Sequence, residues 1–501
     1  MKFNSKYINT ISYKLLFCLC CCIMMLASCK KLLEIPLPAT KIAAEGAYVT
    51  DRAAAATNNN VFGNITNSLF FDGAQSIGFK VGLYTDELKN LNSLSTLNTA
   101  YYSSTILSAD GGPLWSFCYK QLSNVNLTIE GVRASNTLLF KNQWLGEALF
   151  NRAFLHFYLV NLYGDAVITT TSDFLILKDL GRSPKADVYK QIIADLKEAE
   201  SLLANEYKDG TGVTTATNRA RPNKFAAKAL LAKAYLYTGD WVNAEAMSTE
   251  VIGAGAVYKL LLPADIDKVF LAASQETIFA LQPIGVNFER DFTAYTNNMP
   301  AVLPVAVPPA AARTFESYVG ASLTQSLLDA FEKNTATLVD DRRRTFWVRS
   351  SIKPANGAVP AETKYFPNKY KSSVAGAEYI VIMRLAEQYL IRAEARAMQN
   401  NFSGAKEDIN IIRTRAGLSP TTAENQPDLI KAILNERRVE FFTENGHRLF
   451  DLRRTGNLDA VMNNEIIAKG TGFSWNTFRQ YWPIAQDDLL SGTNLIQTAG
   501  Y

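Results

Sequence analysis

Histidine is almost missing from this 501-residue chain, which has only His156 and His447. Cysteine is scarce wherever it could shape a fold. Of six, Cys18, Cys20, Cys21 and Cys22 crowd one apolar stretch, Cys29 follows it, and Cys118 stands alone downstream. The usual zinc and calcium patterns (HExxH, paired CxxC, an EF-hand loop) are therefore absent. One downstream thiol makes no internal disulfide, so the fold must rest on its apolar core. Excess charge is lacking as well. The net is +4, most of it from three lysines near the start, and no basic block with interleaved aromatics offers a nucleic-acid surface. A phosphate-cradling glycine loop and a GxSxG elbow are missing, which weakens the case for an enzyme.

The beginning of the chain carries a clear address. Lys2, Lys6 and Lys14 precede an apolar run from Leu15 to Ala27. A membrane-spanning helix needs about 20 apolar residues, so this run is too short and fits the core of a secretory signal. It ends in Leu26-Ala27-Ser28-Cys29, the form of a bacterial lipobox. Residues 1–28 are expected to be removed and Cys29 to carry lipid. Each buried methylene contributes about 0.8 kcal/mol, so two or more acyl chains anchor stably where one does not. No second long apolar run follows, and the mature chain reads as soluble apart from its lipid.

Residues 30–45 read as a tether, with Pro36 and Pro38 blocking early helix. Residues 46–110 are rich in Asn, Ser, Thr and Gly and suggest one or two short helices among long loops. Helical patterns dominate from 111. Residues 146–163 are apolar around much of their circumference, as in a helix buried between others, and Gly164-Asp165 ends them. Residues 187–204 and 223–238 read as amphipathic helices, the second alanine-rich. AYLYTGDWVNA (234–244) and ARAMQNNFSGA (395–405) align at an offset of 161, each a helix, a tight polar turn and a second helix. That is the pattern of a tetratricopeptide hairpin, although copies so far apart are no tandem array. Residues 256–380 form a long loop-rich insertion with Pro300, Pro304, Pro308 and Pro309 and scattered aromatics, a place where binding surfaces are commonly built. The mature chain is expected to be one domain: an N-terminal part (29–255) with helical repeats, the insertion, and a C-terminal helical part (381–501).

Several segments together resemble the SusD/RagB family of nutrient-binding outer-membrane lipoproteins. They are EALFNRAFLHFYLVNLYGDAVI (147–168), RPNKFAAKALLAKAYLYTGDWVNAEAMSTEVI (221–252), MRLAEQYLIRAEARA with INIIRTRAGL (383–418) and ILNERRVEFFTENGHRLFDLRRTGN (433–457). The closing YWPI (481–484) and NLIQTAGY (494–501) match as well. One departure is an extra residue within ENGHR at 444–448. The resemblance implies a mainly α SusD-like fold with four tetratricopeptide-like helix pairs and an irregular ligand-facing region. It also implies a partner, a SusC-like TonB-dependent outer-membrane barrel, and a glycan ligand. Peptide ligands occur in the same family, and a helical-repeat scaffold that binds only proteins is the reading from another class.

Sugar capture calls for flat aromatic faces with amides and carboxylates beside them. Asp86 and Glu87 with Asn90 offer polar groups, and a similar early loop binds ligand in the family. Tyr101 and Tyr102 follow, and Tyr295, Tyr318 and Trp347 lie in the insertion, each with burial in a local core as the alternative to ligand contact. Glu436 and Glu440, four apart on one helical face, have the form of a glycosidase carboxylate pair. The apolar stripe Ile430, Ile433 and Leu434 argues instead that this helix is buried and that its charges, with Arg437 and Arg438, lock helices together. His156 reads as a core residue and Trp115 as structural. Arg342, Arg343 and Arg344 read as a solvated run with local ion pairs, the alternative being contact with an acidic glycan.

Overall fold

The computed structural model describes residues 46–501 apart from 67, 69, 72, 74–75, 284–298, 305–313, 358, 373 and 375. Cys29 and Tyr295 lie outside the described residues. Tyr48–Tyr501 forms one compact unit, and no described helix is long and apolar enough to cross a membrane.

Three helices open the unit: α1 (Asp51–Thr66), α2 (Ile77–Tyr84) and α3 (Thr96–Tyr102). This corrects the expectation of one or two short helices among long loops. Asn and Thr carry weak helical propensity, but α1 buries Val61, Phe62 and Ile65 along one face, and packing outweighs propensity.

The body is a series of long helices: α4 (Ser108–Ala134), α5 (Lys141–Tyr163), α6 (Lys185–Leu202), α7 (Lys224–Thr238) and α8 (Trp241–Gly253). Each packs on the next. All residues of α5 from Gln143 to Tyr163 are buried, which is why its sequence shows no polar face. Gly164 caps it with φ +77°, a backbone that costs a residue with a Cβ and not glycine. On α7, Ala226, Ala227, Ala229, Ala232 and Ala234 are fully buried, and small side chains let both neighbouring helices approach closely.

After the insertion come α9 (Arg342–Phe346), α10 (Leu385–Met398), α11 (Phe402–Arg415), α12 (Gln426–Glu440), α13 (His447–Arg454) and α14 (Leu458–Ala468). The internal repeat holds residue by residue at its turns. Gly239 and Asn400, 161 apart, both take positive φ (76° and 63°). Asp240 and Asn401 each cap the following helix by accepting from the backbone N–H three residues on. The two hairpins touch: α8 packs directly on α10, and Arg396 Nε donates to Glu245 Oε1 at 2.8 Å. Neighbours in space are thus separated in sequence by the insertion.

That insertion is less irregular than its composition suggests. Antiparallel pairs join β1 (Leu88–Asn90) to β3 (Ala321–Leu323), β2 (Thr277–Leu281) to β6 (Ile380–Arg384), and β4 (Val348–Lys353) to β5 (Glu362–Pro367). Strands of three to six residues are too short to show alternation, and β2 and β6 are buried throughout. A small apolar cluster of Leu91, Met299, Leu303, Phe315, Val319 and Phe366 holds the insertion against β1.

Candidate functional site

The charged residues at the end of α12, Glu436 to Glu440, are spent inside the protein. Arg343 is fully buried and reaches Asp341 (2.7 Å), Glu436 (2.6 Å) and Glu440 (3.0 Å). Glu436 also meets Arg413 at 3.3 Å, while Glu440 meets Arg384 and Arg415. Burial alone would raise the Glu440 carboxyl, but Arg415, Arg384 and Arg343 hold it well below the usual range. Both carboxylates are thus saturated and sealed from substrate. Arg437 pairs with Asp451 (2.7 Å) and Arg438 with Asp86 (2.8 Å). Mutual pairing is what makes such burial tolerable. The solvated reading of Arg342–Arg344 is corrected at Arg343, whose neighbours in sequence do stay nearer the surface. A run of three arginines gives no local sign of which one faces the carboxylates of a distant helix.

His156 is buried in α5, its Nδ1 3.0 Å from the Arg152 carbonyl, and burial lowers it to about 4, against the pull of Asp195. It is a neutral core residue. Trp115 is buried against Tyr119 and Tyr163.

The expected ligand residues divide sharply. Asp86 is buried, with its oxygens held by Arg448 and Arg438. Burial alone would raise it, yet those arginines bring it down to about 2. Glu87 is buried beside it, accepts from the Thr443 N–H at 3.2 Å, and is pushed up to about 7 by burial and then by the charge of Asp86. Tyr101 is buried against Trp482 and donates to the Asp110 carbonyl. Trp347 is fully buried and donates from Nε1 to the Ile266 carbonyl at 3.0 Å. These four are corrections: each is committed to the fold, so none presents a free face to a sugar. Short-range pattern cannot distinguish an aromatic in a ligand loop from one folded under it. Asn90, Tyr102 and Tyr318 remain at or near the surface. Asn90 accepts from the Asn92 N–H, Tyr102 lies under Lys469 Nζ at 4.9 Å, and Tyr318 packs on the apolar cluster of the insertion.

The structure offers another pocket that pattern reading missed. A cavity of about 410 Å³ lies between the end of α1, the segment leading to α2, and one face of α4. Phe117, Lys120 and Gln121 line it from α4, Asn64 from α1 and Lys80 from α2. Spacings of three and four put the α4 residues on one helical face, which is the sequence signal that could have found them. Phe117 is half-buried, its ring 6.1 Å from buried Phe70. Asn64 Nδ2 donates to Gln121 Oε1 at 3.1 Å, fixing two amides in the wall. Tyr101 contributes indirectly, since Lys80 Nζ sits 5.6 Å from its ring centre. A larger cleft of about 600 Å³ runs along the C-terminal segment. Its Arg182 is already engaged by the Asp165, Tyr163 and Ile496 carbonyls and by Thr498. That cleft is a seam closed by its own hydrogen bonds, whereas the α4 pocket keeps polar groups to spare. Among the described residues no cluster suits a metal ion.

Comparison with known proteins agrees with this architecture. Residues 350–501 match the SusD family, and residues 73–236 match a family described as starch-binding associating with outer membrane. A SusD-like protein, P25, of Formosa agariphila is 25% identical over 446 residues, covering 81% of this chain and 82% of its own. A SusD-like protein of Bacteroides ovatus is 23% identical over 377 residues, with 68% and 65% covered. Among solved structures, a SusD-like protein of Bacteroides fragilis superposes with a TM-score of 0.71 at 19% identity, covering 93% of this chain and 100% of that one. A laminarin-binding SusD-like protein gives 0.68 at 20%, covering 90% and 99%. Surface glycan-binding protein A of Bacteroides fluxus also gives 0.68 at 20%, covering 89% and 99%. With SusD-family matches at both ends of one continuous mainly helical unit, this chain is similar to SusD-like proteins in sequence and in fold.

Proposed function

We propose that this chain is a cell-surface glycan-binding lipoprotein that delivers oligosaccharide or polysaccharide to a SusC-like TonB-dependent outer-membrane barrel. Cleavage after Ser28 and acylation of Cys29 anchor it in the outer membrane, facing outward, with residues 29–501 as the mature domain. The relatives named for glycan, laminarin and starch support the ligand class.

The observation that carries the reading is the α4 pocket. It sets the half-buried ring of Phe117 beside the paired amides of Asn64 and Gln121, the combination that grips the apolar face and the hydroxyls of a sugar. Among the described residues the lining holds no carboxylate, and Glu436 and Glu440 of α12 are locked to arginines, so binding and release suit the site better than hydrolysis. Capture for hand-over calls for modest affinity, micromolar to millimolar, or about −8 to −4 kcal/mol.

Calorimetric titration of the full chain in detergent against polysaccharides and peptide digests tests this. Saturable glycan binding that Phe117→Ala abolishes is the expected result. Saturable binding to peptides alone would replace the ligand class, and co-purification without any barrel would remove the transport role.

A further inference from the structure

Lys80 is an unusual lining residue. It projects from α2 into the α4 pocket and makes no ion pair or hydrogen bond through Nζ among the described residues. Among the described residues its ammonium rests against the Tyr101 ring. Asp110 attracts it from a distance, but that carboxylate is turned to the Leu107 N–H at 2.8 Å. A second lysine, Lys120, stands exposed on the same pocket wall. Other inner cations of this protein have polar partners: Arg343, Arg384, Arg415 and Lys369 meet carboxylates within hydrogen-bonding range, and Arg453 and Lys469 donate to backbone carbonyls. A desolvated cation without a counter-ion is costly, and a pocket that keeps one is prepared for an anion from outside. The remaining polar atoms of the wall, Asn64 Oδ1 and Gln121 Nε2, have no protein partner among the described residues.

We infer that the α4 pocket selects glycans carrying anionic substituents, a carboxylate or a sulfate ester, which Lys80 and Lys120 grip while Phe117 supports the sugar ring. The inference rests on the glycan-binding reading and narrows it to a substrate class. Charge-assisted hydrogen bonds from ammonium to carboxylate or sulfate are about twice as strong as neutral ones. Lysine suits both anions because it acts as a point charge and needs no planar partner. Burial lowers Lys80 to about 8, opposed by Asp110, so the grip is charged at neutral pH and fades above it.

The test uses the full chain in detergent, titrated with oligogalacturonate as the carboxylate probe, κ-carrageenan oligosaccharide as the sulfate probe, and neutral laminari- and malto-oligosaccharides of matched length. At least tenfold tighter binding of one anionic probe is expected, with the better probe naming the anion. That preference should weaken tenfold or more in Lys80→Gln, recover largely in Lys80→Arg, and weaken several-fold in Lys120→Gln. Lys120 is exposed, so its variant reports on the pocket even where a change at Lys80 disturbs folding. Equal affinity for neutral probes, unmoved by Lys120→Gln, would overturn the anion inference while leaving glycan binding intact. Binding of no saccharide, with peptide binding instead, would overturn both.

Discussion

Arg448 clasps Asp86 with two parallel hydrogen bonds, Nε to Oδ1 at 2.8 Å and Nη2 to Oδ2 at 2.7 Å, across 362 residues of chain. Arg438 adds a third, at 2.8 Å. This clasp ties the segment after α2 to α12 and α13, and turns an apparent ligand residue into a structural one.

Asp86→Ala strands two arginines in a buried site, and breaking such a pair costs about 3–5 kcal/mol. Chemical unfolding should register a loss of that size, while the folded fraction binds glycan with unchanged affinity. A full-strength melting transition with lost binding would return Asp86 to the ligand site.

Glu87 makes stability depend on pH. Its folded pKa, about 7, lies above the ordinary 4.5, so the native state binds more protons than the unfolded one between those values. Stability from this group is present at pH 4.5 and below, and is lost as pH rises through 7. Glu87→Gln removes that loss and should raise stability at pH 8 by up to about 3 kcal/mol, with little change at pH 4.5. Unfolding curves at the two pH values check it; equal shifts at both would refute the assignment.

Trp347→Ala and Phe117→Ala should part company. The first empties a fully buried site and is expected to cost about 3–5 kcal/mol. The second trims a half-buried ring and should leave the melting temperature nearly unchanged while glycan affinity falls tenfold or more. Differential scanning calorimetry beside a binding titration separates them.

Glu436→Gln tests the enzymatic alternative. The carboxylate meets Arg343 and Arg413 and no open cavity, so the variant should lose stability, about 3 kcal/mol or more. Reducing-end release from polysaccharide should stand at background in both proteins. Release by the natural chain that vanishes in the variant would establish a glycosidase.

Much of this molecule was legible locally. The helix α5 announces itself because burial on all sides leaves no polar face between Gln143 and Tyr163. The hairpin repeat was readable since Gly239 and Asn400 meet the same left-handed requirement at the same turn, and backbone conformation is a property of a few adjacent residues. Strands β1 and β3 were not legible: three residues each carry no periodicity, and their pairing is decided by chains more than 200 residues apart.

The sequence by itself thus determined the long helices of the body, the repeated hairpin and the family pattern, all set by short-range geometry and by apolar spacing along one chain. Only the tertiary structure decided which charged and aromatic residues are spent on the fold and which stay at or near the surface. A carboxylate at position 86 is a sugar contact or a structural tie according to whether arginines 352 and 362 residues away arrive beside it. At Lys80 the fold sets the ammonium against the Tyr101 ring, with no ion pair among the described residues. Pairing in low dielectric is a matter of distances of a few ångströms in space, which separation along the chain does not record.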